Sequence, residues 1–320
     1  MRALWLEDRR LSLRSVAIPE PPQGEALVHV VQAGICNTDI ELTRGYYPYS
    51  GILGHEFVGL VESGPPELRG KRVVGEINAV CGDCVACRHG RPTHCENRTV
   101  LGIVGRDGAF AEYLTLPVEN LHVVPDDVST DAATFTEPLA AALEIQEQID
   151  VGSGDRVVVI GDGKLGLLVA MSLQLTGCSL TAIGRHEDKL AVLDAMGIET
   201  HHSEDRLSGE FDIAVECTGN PDGFAAALDL VRPRGTLVMK STYADHLTFD
   251  AAKVVVDEIN LVGSRCGPFE PALELLAEGK SEVERLVSAR YPLDDALEAI
   301  DHAQQPRVLK VLLDVAADTQ

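Results

Sequence analysis

A chain of 320 residues and 34.4 kDa is too long for one ordinary hydrophobic core and suits two domains, each able to fold without covalent staples. Fifty acidic residues against 27 basic ones give a formal charge of -23 with no basic run, which argues against nucleic acid or an anionic membrane surface as a partner. The opening "MRALWLEDRRLSLRS" is charged within its first ten residues, and no apolar run nears the ~20 residues that span a bilayer, so a soluble cytoplasmic protein is expected; the acidity suits a salt-rich cytoplasm as well as it suits a merely soluble surface.

Residues 1 to 127 read as short β segments, "ALVHVVQAG", "EFVGLVESG", "KRVVGEI", "AFAEYLTLP" and "LHVVP", broken by turn chemistry such as "PPQG" and "SGPPELRG". An irregular, mostly antiparallel β domain follows from that pattern. Within it, "AGICNTDIELTRGYY" and "GILGHEFVGLVE" offer Cys36 and His55 as good ligands for a catalytic zinc, with Glu56 able to add an oxygen and Thr38 and Asp39 near enough in sequence to line the same pocket. Each alone has a plainer explanation: Cys36 as a small buried hydrophobe, His55 as a polar turn residue.

Next comes "CGDCVACRHGRPTHC", where Cys81, Cys84, Cys87 and Cys95 stand as C-x2-C-x2-C-x7-C. In a reducing cytosol clustered thiols bind metal more often than they form disulfides. Four soft ligands from one loop make a closed tetrahedral zinc site with no open position for substrate, whose contribution is to order the loop around it. An iron-sulfur cluster and unligated thiols are the competing readings. Further along, Glu137 lies in "TEPLAAALE" ahead of Pro138 at a helix start; it is either a further acidic ligand or a supporting or surface carboxylate.

From residue 128 to 267 apolar β runs alternate with helical stretches: "RVVVI" then "KLGLLVAMSLQLTG", "SLTAIG" then "HEDKLAVLDAMG", "FDIAVECTG" then "PDGFAAALDLV", "GTLVMKS" and "INLVGSR". Such alternation implies a parallel sheet covered on both faces. In "VVVIGDGKLGLL", Gly161, Gly163 and Gly166 form G-x-G-x-x-G between strand and helix, so that the loop with Lys164 and Leu165 presents free N–H groups and a helix dipole to a pyrophosphate. The final stretch, 268–320, with "PFEPALELLAEG", "SARYPL" and "RVLKVLLDV", does not continue the alternation and is expected to complete the first domain.

The four-cysteine loop, "GHE", "C-x-T-D", "EPLA" and the nucleotide fingerprint, spread over nearly the whole chain, resemble the zinc-dependent medium-chain dehydrogenase/reductase family of alcohol, sorbitol, threonine and glucose dehydrogenases. The resemblance implies an α/β protein made of a GroES-like, mostly antiparallel β catalytic domain and a Rossmann domain with a doubly wound parallel sheet, the active site lying in the cleft between them. It implies two zinc ions. Cys81, Cys84, Cys87 and Cys95 would hold the structural one; Cys36, His55 and Glu56 or Glu137 would hold the catalytic one and leave a place for substrate oxygen. Thr38 stands where the family has the hydroxyl that takes the alcohol's proton, and Asp39 where it has the carboxylate that orients the ligating histidine. Five residues past Cys36, where many alcohol dehydrogenases pass that proton on through a histidine, this chain has Glu41, so that Glu41 or water would end the relay. Asn78 and Glu96 occupy places near which sugar-oxidising relatives put polar substrate contacts, and "TDIE" looks like the "TD-x-E" of glucose dehydrogenases; capping of the loop's turns is the alternative role for both. A small alcohol, polyol or sugar is therefore the expected substrate, handled by a homodimer or homotetramer.

The cofactor is read from "SLTAIGRHEDKL". Rossmann domains that take NAD carry an Asp or Glu about 20 residues past the glycine motif to bind the ribose 2'-hydroxyl. That position is Gly184, and Arg185 follows with a cationic fork suited to a 2'-phosphate, with His186 and Lys189 able to add to it. NADP(H) is expected to be preferred over NAD(H), although Glu187 and Asp188 temper the local charge. Three alternatives remain: an NAD-dependent simple alcohol dehydrogenase of the same family, a zinc-free quinone reductase of the superfamily, and a zinc-stabilised nucleotide-binding protein without turnover.

Overall fold

The computed structural model describes residues 1–205, 207, 210–243 and 246–316; the end of the expected 268–320 segment, residues 317–320, lies outside them. The chain divides into two compact units, one made of Met1–Glu137 and the chain from Phe269 on, the other of Pro138–Pro268. The division falls at Glu137 rather than at residue 127 because the short helix Thr130–Thr134 packs on the strands Glu25–Gly34 and Glu56–Ser63 of the first unit.

The first unit is built around a sheet with the spatial order Leu121–Val123, Arg72–Gly75, Glu56–Ser63, Glu25–Gly34, Lys310–Asp314 and Val287–Pro292, while Tyr113–Pro117 also pairs with Glu25–Gly34. Every pairing but one is antiparallel; Lys310–Asp314 and Val287–Pro292 run parallel. The alternation in "ALVHVV" explains the central strand: Ala26, Val28 and Val30 are fully buried while the residues between them are half-buried, so one pleat face enters the core. Lys310–Asp314 joins that strand with Leu312 opposite Gly34 and Asp314 opposite Gln32. Two small sheets flank this one: Arg10–Ser15, Arg2–Glu7 and Gly51–Ile52, and, beside the cysteine loop, Asn78–Ala79, Thr99–Leu101 and Gly105–Arg106.

The second unit carries a six-stranded parallel sheet in the order Glu199–His202, Ser179–Gly184, Arg156–Ile160, Phe211–Glu216, Val231–Met239, Asn260–Gly263. Counted within the unit this is 3-2-1-4-5-6, the doubly wound order, whose ligand crevice opens where the order reverses, at the carboxyl ends of Arg156–Ile160 and Phe211–Glu216. Val157, Val158 and Val159 are all buried, as a strand covered on both faces requires. Among the described residues, no helix is long and apolar enough to cross a membrane.

Candidate active site

Cys36 caps the helix Asn37–Arg44, and the carboxylate of Asp39, three residues on, accepts the Cys36 backbone N–H at 2.9 Å. Reciprocal capping fixes the first turn, so Cys36, Thr38 and Asp39 have set positions before any ligand arrives. The Cys36 Sγ lies 3.8 Å from Thr38 Oγ1. Asp39 is fully buried; its Oδ1 accepts the Gly54 N–H at 3.2 Å and lies 3.2 Å from Nδ1 of His55. Gly54 has φ +96, and a Cβ there would stand 2.4 Å from the Phe110 ring, which accounts for the glycine of "GHE".

One sulfur, one imidazole nitrogen and one carboxylate oxygen, from Cys36, His55 and Glu56, lie within 4.8 Å of one another. Burial alone would push the His55 ring down, but the coulombic pull of Asp39 and of the Cys36 sulfur outweighs it and raises the ring well above its ordinary value. Soft sulfur beside imidazole and carboxylate is a donor set that suits zinc. Glu56 Oε1 is buried without a hydrogen-bond partner, which also fits a metal ligand. Glu137 is half-buried at the start of the helix Thr136–Gln148, outside this group, although its charge reaches Lys310.

Lys310, absent from the sequence reading, is the main addition. Its ammonium donates to Glu56 Oε2, both residues are 1% exposed, and the nitrogen stands 5.5 Å from the Phe135 ring centre. A Cβ on Gly34, opposite Glu56 in register, would come within 2.3 Å of that carboxylate, so the glycine makes room for the pair. Burial would lower the Lys310 ammonium, but Glu56, Cys36 and Glu137 together raise it. Its signal in the sequence was a single lysine inside the apolar run "VLKVLLDV". Glu41 is not brought to the cluster; it pairs with Arg44 at 2.7 Å on the helix surface.

In the cysteine loop, Cys81, Cys84, Cys87 and Cys95 bring their sulfurs within 4.8 Å of one another, with Cys95–Cys81 at 3.4 Å and Cys84–Cys87 at 3.5 Å. Sulfurs held about 2.3 Å from one tetrahedral centre lie roughly 3.8 Å apart, so the spacing fits zinc. Backbone N–H groups pull the Cys84 and Cys95 thiols down toward the thiolate that binds metal, while burial and the neighbouring thiols hold Cys87 up. Asn78 is 2% exposed in the small sheet beside the loop, its backbone carbonyl accepting from Asn120 Nδ2. Glu96 is exposed and lines a shallow hollow with His89, Arg91 and His94.

In the second unit, Gly161 follows Ile160 with φ +123, and Gly163 caps the helix Lys164–Gln174. A Cβ on Gly166 would stand 1.9 Å from the Gly161 carbonyl oxygen, whereas one on Gly163 would meet nothing within 4 Å. Helix and loop thus close on each other at Gly166, and the backbone is left bare at Gly163, a cradle that fits a pyrophosphate on the helix N-terminus. At the end of the strand Ser179–Gly184, Arg185 is exposed, His186 half-buried and Lys189 only 7% exposed. The sequence places no acid at Gly184, yet the structure brings one there: a Cβ on Gly184 would lie 2.5 Å from Cβ of Asp162.

A cysteine, histidine and carboxylate cluster in one unit and a dinucleotide loop at the switch point of the other define a zinc-binding, nicotinamide-dependent oxidoreductase. Residues 22–126 match the alcohol dehydrogenase GroES-like domain and residues 165–278 the zinc-binding dehydrogenase domain. The chain is 31% identical to a sorbitol dehydrogenase of Halalkalibacterium halodurans, over 92% of its own length and 93% of that protein's. An alcohol dehydrogenase from Thermus sp. ATN1 superposes with a TM-score of 0.90 at 31% identity, over 99% and 100% of the two chains. A Sinorhizobium meliloti protein assigned as a zinc-binding dehydrogenase, solved with NADP bound, superposes with a TM-score of 0.90 at 29% identity, over 98% and 99%. The chain belongs to the zinc-type medium-chain dehydrogenase/reductase family.

Proposed function

We propose that the protein is a polyol or sugar dehydrogenase that prefers NADP(H) over NAD(H), with Cys36, His55 and Glu56 holding the catalytic zinc and Cys81, Cys84, Cys87 and Cys95 the structural one. The observation that carries this reading is the convergence of the Cys36, His55 and Glu56 ligand atoms beside Thr38 and the buried Asp39. When bound, the ion supplies positive charge against the substrate oxygen and the nicotinamide accepts or returns the hydride. Thr38 Oγ1 takes the proton of the substrate hydroxyl, and Asp39 fixes the His55 ring so that its other nitrogen faces Cys36 and Glu56. Glu41 is engaged by Arg44, so the proton leaves Thr38 to water unless that pair opens. Glu137, the alternative third ligand, lies outside the Cys36, His55 and Glu56 group but within electrostatic reach of Lys310.

For the cofactor, Arg185 and Lys189 bring cations and His186 a ring nitrogen to the end of the Ser179–Gly184 strand, and the Sinorhizobium meliloti structure carries NADP. For the substrate, the likeness to a protein named sorbitol dehydrogenase supports a polyol or sugar as our reading, with Asn78 and Glu96 as candidate polar contacts. A homodimer or homotetramer working in the cytoplasm belongs to the same reading and is measurable by light scattering. The test is zinc content with a spectrophotometric screen of polyols, aldoses and simple alcohols against both cofactors. Two zinc ions per chain and the highest kcat/KM with a polyol or aldose are expected. One ion per chain, or an apolar alcohol as the best substrate, would refute the reading.

A further inference from the structure

In "GDGKLG" Asp162 stands between the first two glycines of the loop. It does not face solvent: the residue is 8% exposed. Its Oδ2 receives three donors, the backbone N–H of Arg185 at 2.7 Å, the backbone N–H of His186 at 2.6 Å and the His186 ring Nδ1 at 2.9 Å. Burial by itself would raise the carboxyl, but those hydrogen bonds outweigh it and hold Asp162 below the ordinary carboxylate range. Lys189, lowered by burial, feels the Asp162 charge in the opposite sense. The backbone of Arg185, the backbone and ring of His186 and the charge of Lys189 thus all bear on one carboxylate, with Asp188 also acting on Lys189.

In a Rossmann domain that takes NAD, this strand ends in an acid that binds the ribose 2'-hydroxyl. This strand ends in Gly184, and any side chain there would displace Asp162. The carboxylate reaches the same place from the glycine loop instead. It also occupies two backbone N–H groups and a ring nitrogen that would otherwise be free to hold a phosphate, and a 2'-phosphate would meet a like charge. We propose that Asp162 is a selectivity residue for the adenosine ribose: its carboxylate replaces the missing strand-end acid, favours a 2'-hydroxyl, and restrains the NADP preference that Arg185 confers, so that the protein accepts both cofactors. This rests on the glycine loop binding the dinucleotide and deepens the cofactor reading above.

The experiment is isothermal titration of the zinc-loaded full chain, without substrate, with NADP+, NAD+, 2',5'-ADP and 5'-ADP. Wild type is compared with Asp162→Asn and Asp162→Ser, so that one poorly folded variant does not decide the result; unfolding temperature confirms the fold. The ratio Kd(NAD+)/Kd(NADP+) is expected to rise about tenfold in both variants, with the same rise for the ADP pair, which lacks the nicotinamide. An unchanged ratio, with both cofactors weakened in parallel, would mean that Asp162 only braces the loop and would overturn the proposal. A wild type that favours NAD+ while the variants still shift the ratio would refute the NADP reading and uphold the role of Asp162.

Discussion

Replacing Lys310 by methionine removes the ammonium but keeps much of the side chain's length, and leaves the Glu56 carboxylate, 1% exposed, without its ion partner. The lost pair is buried on both sides and the cation also faces the Phe135 ring at 5.5 Å. Removing one member of such a pair costs about 3–5 kcal/mol, because the remaining charge stays in a medium that cannot solvate it. At about 2–4 °C per kcal/mol for a unit of this size, the unfolding temperature should fall by about 10 °C. The double variant Glu56→Gln/Lys310→Met removes both members of the pair and should recover more than half of the loss, so that a double-mutant cycle returns a coupling of about 2–3 kcal/mol. Urea unfolding followed by circular dichroism measures all four corners, once with zinc in fixed excess and once after chelation, since a bound ion adds its own stabilisation. Single variants that cost under about 1 kcal/mol, or losses that simply add in the double variant, would refute the claim that the pair is a coupled buried unit. Coupling that disappears on chelation would assign the energy to the metal instead.

Cys36→Ala and His55→Ala should each lower zinc content by one ion per chain and kcat/KM by at least about a thousandfold with an unchanged far-ultraviolet spectrum, whereas Cys84→Ser should unfold the cysteine loop and expose it to proteolysis. Arg185→Ala should weaken NADP+ about ten- to a hundredfold, from about 1.5–3 kcal/mol for a charged hydrogen bond, and leave NAD+ nearly unchanged; equal losses for both cofactors would contradict the phosphate contact. Glu25 accepts both Arg106 Nη1 at 2.8 Å and Nη2 at 2.7 Å, and these bonds, opposed by burial, hold its carboxyl below the ordinary range. A depressed folded value means stability that is fully present above the unfolded value of about 4.3 and lost as the pH falls through the lower folded one. Glu25→Gln should therefore be less stable than wild type by about 1.5–3 kcal/mol at neutral pH and converge with it in acid; a gap that stays constant down to pH ~3 would contradict this.

The strands "ALVHVVQAG", "EFVGLVESG" and "SLTAIG" were legible because alternation or a continuous apolar run is a local signal, and they appear as Glu25–Gly34, Glu56–Ser63 and Ser179–Gly184. The strand Glu199–His202, "ETHH", was not, because nothing apolar marks it and its place is set by pairing beside Ser179–Gly184. Cys36, His55 and Glu56 were legible through the chemistry of their side chains. Lys310 was not, since its meaning depends on Glu56, 254 positions away. Asp162 was hidden for a related reason: the sequence shows which residue ends a strand, but a carboxylate delivered across space to that strand end becomes visible only when the loop and Gly184 are seen together.

The pairing of Lys310–Asp314 with Glu25–Gly34 has a consequence for synthesis. A ribosome delivers residues 1–137 well before Lys310, and at about 5–20 residues per second the interval is roughly ten to thirty seconds. Throughout it, the Glu25–Gly34 strand has an open edge near Gly34 and Glu56 has no ammonium to neutralise it. The amino-terminal part of the first unit must wait, half-assembled, while the Pro138–Pro268 unit, whose sheet draws on no strand outside itself, can finish first. A nascent chain arrested before Lys310 should accordingly expose that edge to chaperones and hydrophobic dyes, and release of the completed chain should close it.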